Sequence, residues 1–490
     1  MVACGHRCWV GAILIAVAVS LASQTPVPSG GLALLKEGRF DDAAAELELE
    51  VRRRPDDLGL RAAWVKSLVE GGRWIEALAA AKETSERAPA DPEARLMFGD
   101  CLFLDFRAEE ALAVWRPVLR DERWRALALP KMVNAALGLG RRAEALSLIA
   151  RAEAEGVPPS ADLLSLKARA LDDPADKLAV LKAIARIAPG SQALAEQVRL
   201  YEALAPVGPV RIASPAKFPG STQLREIYRE PSLKVVLNGK KTWLALDTGA
   251  ESLLVNADLA HKLRLPELGP VSLEGWGYQG PRQSRSVLIS RLEIAGMTVT
   301  QQPAVINVRD SEFWTNKGGY LGLSPFAGFV TYYDRRHGRF ALWPKGTPPE
   351  QLLGEKGTTL PLLWVEGVPL VQVRLQGRGP FPFLLDTGAP YTLLASQYVP
   401  KLGIRINSGK YGNLYGLGFS GAFSSGLAEQ VTLEFAGRVF HEPVAPVTEV
   451  PQRFPLPLWG ILGRDILNRY RMVFDGPGNT VTVVPYPDMR

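Results

Sequence analysis

The feature that most limits what this chain can fold into is an internal duplication with a nearly constant offset. Asp247-Thr248-Gly249-Ala250 recurs as Asp386-Thr387-Gly388-Ala389, 139 residues on (386 − 247). Each copy closes an apolar run, Trp243 to Leu246 before the first and Phe383 to Leu385 before the second. Val235 to Leu237, then Asn238-Gly239, then the run into Asp247 reads as a β-hairpin. Val371 to Leu375, Gln376-Gly377 and Phe381 to Leu385 repeat it. Further on, Leu273 to Gly280 matches Leu414 to Gly421, and Leu292 to Gly296 matches Leu433 to Gly437. Tyr320-Leu321-Gly322-Leu323 matches Ile461-Leu462-Gly463-Arg464, now 141 apart (463 − 322). Register held through one two-residue adjustment implies two copies of one unit. Short alternating runs of Val, Leu, Thr and Phe broken by Gly and Pro make that unit all-β.

The first half follows a different period. Between about Gly31 and Pro189 the chain is rich in Ala, Leu, Glu and Arg at helical spacing. Gly38-Arg39-Phe40-Asp41-Asp42-Ala43 recurs as Gly72 to Ala77, Phe106 to Ala111 and Gly140 to Ala145, with the closing alanines 34 residues apart each time. A degenerate fifth copy puts Ala179 another 34 on. This period resembles the tetratricopeptide repeat, a helix-turn-helix unit that buries its apolar stripe only by stacking on its neighbours. Such a solenoid offers a surface for a protein partner or substrate; packing on the second half as a spacer or lid is the other reading. Trp74, Trp115 and Trp124 are expected as core or groove packing. Five prolines between Pro206 and Pro231 read as a linker.

The 490 residues exceed one ordinary domain. A net charge of +6 is small for that length and, with no basic-helix or metal-finger pattern, makes no case for nucleic acid. Trp9 to Leu21 is apolar, follows Arg7 and runs into Ser20-Leu21-Ala22. That pattern predicts a secretory signal cut near Ala22, and hence an exported, periplasmic or secreted protein. An uncleaved signal acting as an anchor is the alternative; no other long apolar run offers a membrane span. Cleavage would leave Cys101 alone, a small buried hydrophobe with no disulfide partner.

Apolar-Asp-Thr-Gly-Ala, a Gly-rich segment and apolar-Leu-Gly, twice in one chain, resemble the retropepsin-like and pepsin-like aspartic proteases. The likeness is greatest to bacterial aspartyl proteases with lobes the size of a retroviral protease. It covers roughly Leu233 to Pro487. It implies a bilobal all-β fold in which Asp247 and Asp386 flank one water, share a proton as the paired carboxyls of aspartic proteases do, and hydrolyse a peptide bond. Thr248 and Thr387 would cross-brace the two loops. Gly249 and Gly388 would let backbone N–H groups approach the carboxylates. Ala250 and Ala389 stand where pepsins often carry Ser or Thr, so one donor to each Asp is missing and a less acid-shifted pair is expected. Gly322 and Gly463 would support the loops from beneath. Arg464 matches a retroviral arginine that usually pairs with an acid just after the catalytic loop. In this lobe that position is Pro390, and Glu251 holds it in the first lobe, so the partner of Arg464 stays open.

Gly275-Trp276-Gly277-Tyr278 and Gly416-Leu417-Gly418-Phe419 each open a G-x-G-x-x-G. A dinucleotide loop needs a helix after it; Pro281 and polar β-like sequence follow instead. The family places its flap, or the equivalent hairpin, at these segments, so they are the candidate substrate-covering residues. The histidines (His6, His261, His337, His441) form no metal motif, and no G-x-S-x-G elbow or P-loop is present. No cofactor or metal is expected. The expected organisation is a signal peptide (1–24), an all-α TPR-like solenoid (25–204), a Pro-rich linker (205–232) and two retropepsin-like lobes (233–348 and 349–490). The function expected is an aspartic endopeptidase acting on a peptide or protein substrate. A non-catalytic peptide-binding scaffold on the same fold is the alternative.

Overall fold

The computed structural model describes residues 30–273, 282–307, 317–415, 422–449 and 455–489. The signal region lies outside them, as do Gly275, Trp276, Gly277, Tyr278, Gly416, Leu417, Gly418 and Phe419.

Eleven α-helices occupy Gly30 to Leu204. Four of them, Phe40–Arg53, Trp74–Arg87, Ala108–Trp115 and Arg142–Ala154, start 34 residues apart, each just after a Gly-Arg or Phe-Arg corner. The corner residue takes a positive φ in every copy: Gly38, Gly72, Phe106 and Gly140. The corner arginine then reaches forward to the acid three residues on, as Arg39 to Asp42, Arg73 to Glu76 and Arg107 to Glu110. Ala43, Ala77, Ala111 and Ala145 are fully buried, because only a methyl fits where consecutive helices touch. The fifth copy departs from this pattern. Its helix starts at Pro174, two residues early, so Lys177 takes the buried position and Ala179 faces solvent.

Residues 205–232, expected as a linker, carry the strands Arg211–Ala213 and Gly220–Ile227 and the start of Glu230–Leu237. Pro231 is compatible with a strand because its missing N–H costs no ladder bond. Pro231 lies just beyond the ladder to the next strand, which begins at Ser232↔Ala245.

Each lobe is built the same way. In the first, Glu230–Leu237 and Lys240–Leu246 form the expected hairpin through Asn238 and Gly239, both at positive φ. The strand Gly319–Leu321 runs parallel to Lys240–Leu246 and antiparallel to Leu253–Asn256. In the second, Gly460–Leu462 lies likewise between Arg378–Leu385 and Leu393–Ala395. The inserted strand separates the two arms of each Asp-Thr-Gly loop and pushes it toward the other lobe. A shared sheet joins the lobes, with Val330↔Asp475 and Thr331↔Phe474 paired antiparallel.

The solenoid is docked on the β half. Trp74 meets Phe381 edge-on at 5.1 Å, and Phe381 stacks on Trp459 at 3.8 Å. Arg378 bridges to Asp41 at 2.9 Å and Lys401 to Glu70 at 2.6 Å. At the far end Glu196 accepts a hydrogen bond from the Ser272 N–H at 2.7 Å, fastening the last helix to the outer strand of the first lobe.

Candidate active site

The two Asp-Thr-Gly loops meet at the lobe interface. Thr248 Oγ1 donates to the Leu385 carbonyl at 2.5 Å and accepts from the Thr387 N–H at 2.9 Å. Thr387 Oγ1 donates to the Leu246 carbonyl at 2.6 Å and accepts from the Thr248 N–H at 3.2 Å. Both threonines are buried, so each hydroxyl satisfies a donor and an acceptor of the opposite lobe that water cannot reach.

This grip brings the carboxyls together. Asp247 Oδ1 accepts from the Gly249 N–H at 3.1 Å, and Asp386 Oδ1 from the Gly388 N–H at 2.7 Å. The glycines are required across the interface. A Cβ on Gly249 would lie 2.6 Å from the Asp386 carboxyl carbon, and one on Gly388 would lie 2.6 Å from that of Asp247. Gly322 and Gly463 serve a parallel need, since a Cβ there would collide with the carbonyls of Ala250 and Tyr391. Ala250 closes the first loop by donating its N–H to the Asp247 carbonyl at 3.0 Å. Ala389 is buried, and its carbonyl accepts from the Arg464 N–H at 2.9 Å.

The aspartates are half-buried and face each other across the lobe interface. Burial, then the charge of Asp386, their mutual hydrogen bond and the charge of Glu230 hold the Asp247 carboxyl far above the usual carboxylate range. Burial raises Asp386 as well. It is opposed there by the hydrogen bond from Asp247, the backbone N–H groups of Gly388 and Ala389, and the Arg464 cation. Burial and the neighbouring groups thus raise both carboxyls, Asp247 the more strongly.

Three charged residues around the pair complete the site. Arg464 is buried; its Nη1 donates to the Arg229 carbonyl and its Nε to the Ala389 carbonyl at 3.4 Å. The Ala389 carbonyl of its own lobe and the Arg229 carbonyl of the other answer the question its sequence position left open. Glu230 and Lys317 form a buried ion pair that sequence reasoning missed. Glu230 lay in the stretch read as linker, and Lys317 in no repeated motif.

Known families match both lobes. A model described as aspartyl protease matches residues 233–324, and one described as retroviral aspartyl protease matches residues 365–474. The C-terminal region is retropepsin-like. Among solved structures, the chain is similar to an aspartic proteinase from Irpex lacteus at 13% identity and a TM-score of 0.36, over 55% of this chain and 97% of that one. No curated protein matches the chain.

Proposed function

We propose that the protein is an aspartic endopeptidase in which Asp247 and Asp386 activate one water. The observation that carries this reading is that two carboxyls from separate lobes meet, each against the glycine of the opposite loop, and are held there by crossed threonines. Asp386, ionised, takes a proton from the water as the water oxygen bonds to the peptide carbonyl carbon. Asp247 gives its proton to the carbonyl oxygen. As the C–N bond of the resulting diol breaks, Asp386 passes its proton to the leaving nitrogen and Asp247 takes a proton from a diol hydroxyl, which restores one proton to the pair. No metal or cofactor takes part in this scheme. The substrate is an extended peptide lying between the lobes, paired through its main chain.

The signal-like segment supports export, to the periplasm or beyond. The repeat surface turned away from the protease half is the part of the solenoid left for a protein partner or substrate. The corner side, at Asp41, Glu70 and Trp74, is already occupied by the second lobe.

The test is cleavage of a mixed peptide library by the wild type and by Asp386→Asn, with a statine-type inhibitor added in parallel. Cleavage lost in the variant and blocked by the inhibitor is expected. An intact wild-type protein that neither cleaves nor binds the inhibitor would return the chain to the peptide-binding scaffold reading.

A further inference from the structure

The Glu230–Lys317 pair has no part in the chemistry above, yet its place in the fold is specific. Their side chains are 2% and 3% exposed, and Lys317 Nζ lies 5.4 Å from the centre of the Tyr228 ring and 5.8 Å from that of Tyr320. Glu230 follows the two-residue turn Tyr228-Arg229, whose residues both take positive φ. The ladder between Glu230–Leu237 and Lys240–Leu246 pairs Ser232 with Ala245. Carried two residues further, that register sets Glu230 directly opposite Asp247.

The second lobe repeats the backbone with different chemistry. There the two-residue turn Glu366-Gly367 leads into Val368–Leu375, and Leu370 pairs with Leu384. Two further residues along, Val368, buried and apolar, stands opposite Asp386. The Leu-Gly strands diverge in the complementary sense: Arg464 follows Gly463, and Leu323 follows Gly322. An anion therefore lies beside Asp247 and a cation beside Asp386. The charged groups facing the pair are Glu230 from the hairpin, Lys317 from the segment before Gly319–Leu321, and Arg464 from the other lobe; the Tyr228 and Tyr320 phenols flank Lys317.

We propose that Glu230, held in place by Lys317, is a positioning residue that keeps the shared proton on Asp247 and so assigns the acid role to the first lobe and the base role to the second. The inference rests on Asp247 and Asp386 being a proton-sharing pair. Lys317 pairs with the buried carboxyl, and the strand register puts Glu230 rather than Lys317 alongside the strand that delivers Asp247.

The experiment follows the protonated-carboxyl infrared band of the full-length protein as pH is raised, assigned to Asp247 by its loss in Asp247→Asn. In Glu230→Gln the band should disappear about one pH unit earlier than in the wild type. In Lys317→Met, which leaves the anion uncompensated, it should persist to higher pH. The double variant Glu230→Gln with Lys317→Gln keeps a hydrogen-bonded pair without charge. It carries the test if a single variant does not fold, and its band should shift in the Glu230→Gln direction by less. The inference is overturned by any of three results: a folded double variant titrating like the wild type, both single variants moving the same way, or a band that survives Asp247→Asn. A wild type that shows the shifts but cleaves no peptide removes the protease reading and leaves this one standing.

Discussion

The hairpin tips that approach the two aspartates are alike in backbone and opposite in chemistry. Both use a two-residue turn, Tyr228-Arg229 in the first lobe and Glu366-Gly367 in the second, followed by a strand paired with the one that delivers the Asp. The first tip carries Glu230 to Asp247 and offers its Arg229 carbonyl to Arg464. The second carries Val368 and sends Glu366 outward, 3.5 Å from Arg169 of the solenoid. Duplication supplies symmetric geometry, but water activation needs one acid and one base. In the proposed scheme the charges of Glu230, Lys317 and Arg464 separate the roles, while the crossed threonines and reciprocal glycines stay matched.

The largest effect expected is on turnover. Asp247→Asn and Asp386→Asn should each lower kcat/KM by at least about a thousandfold, the scale of losing an acid or base from a pair that works together. Peptide cleavage assays on both variants check this, and a variant retaining wild-type turnover would break the two-role picture. Stability comes next. Thr248→Val and Thr387→Val should each destabilise the protease half by roughly 2–4 kcal/mol, because each leaves a buried N–H and a buried carbonyl of the other lobe unpaired. Urea unfolding of the two variants should give similar losses. A large inequality would mean that the grip is not symmetric.

A smaller effect sharpens the electrostatic contrast. Arg464→Met removes the cation that favours ionised Asp386, so the acid limb of the pH–activity profile should move up by on the order of one unit. No movement in a folded, active variant would take Arg464 out of the charge asymmetry. The smallest effect is on stability against pH. Asp247 holds its proton more tightly folded than unfolded, so its contribution is fully present below the unfolded Asp value of about 3.9 and is lost as pH rises through the higher folded value. The melting temperature of the wild type should therefore fall relative to that of Asp247→Asn between about pH 4 and pH 7. A difference that stays flat across that range would contradict the raised carboxyl.

Much of this was legible because it is written as repetition. The offset between the Asp-Thr-Gly-Ala copies and the recurrence of Leu-Gly placed Gly322 and Gly463 under the right loops. The 34-residue period recurs in the spacing of four helix starts, at Phe40, Trp74, Ala108 and Arg142, each ahead of the Glu-Ala expected to open it or its equivalent. Ala179 shows where such counting stops, since one early helix start rotated its position out of the core and put Lys177 there instead. The proline-rich stretch shows the same limit for strands. Proline marks a missing donor, but whether that donor was needed depends on which strand lies alongside.

By itself, then, the sequence determined that two β units and a helical array exist, and which two carboxyls would face each other. Those facts rest on local period and internal copying, which a single chain displays in its own order. The tertiary structure decided the rest: the docking of Trp74 against Phe381, the Arg229 carbonyl that reaches Arg464 from the other lobe, and the burial of Glu230 with Lys317. These contacts join segments far apart in the chain and unlike their counterparts in the other repeat, so no period announces them. They follow from strand register and from the need to pair or bury each charge once the lobes have closed.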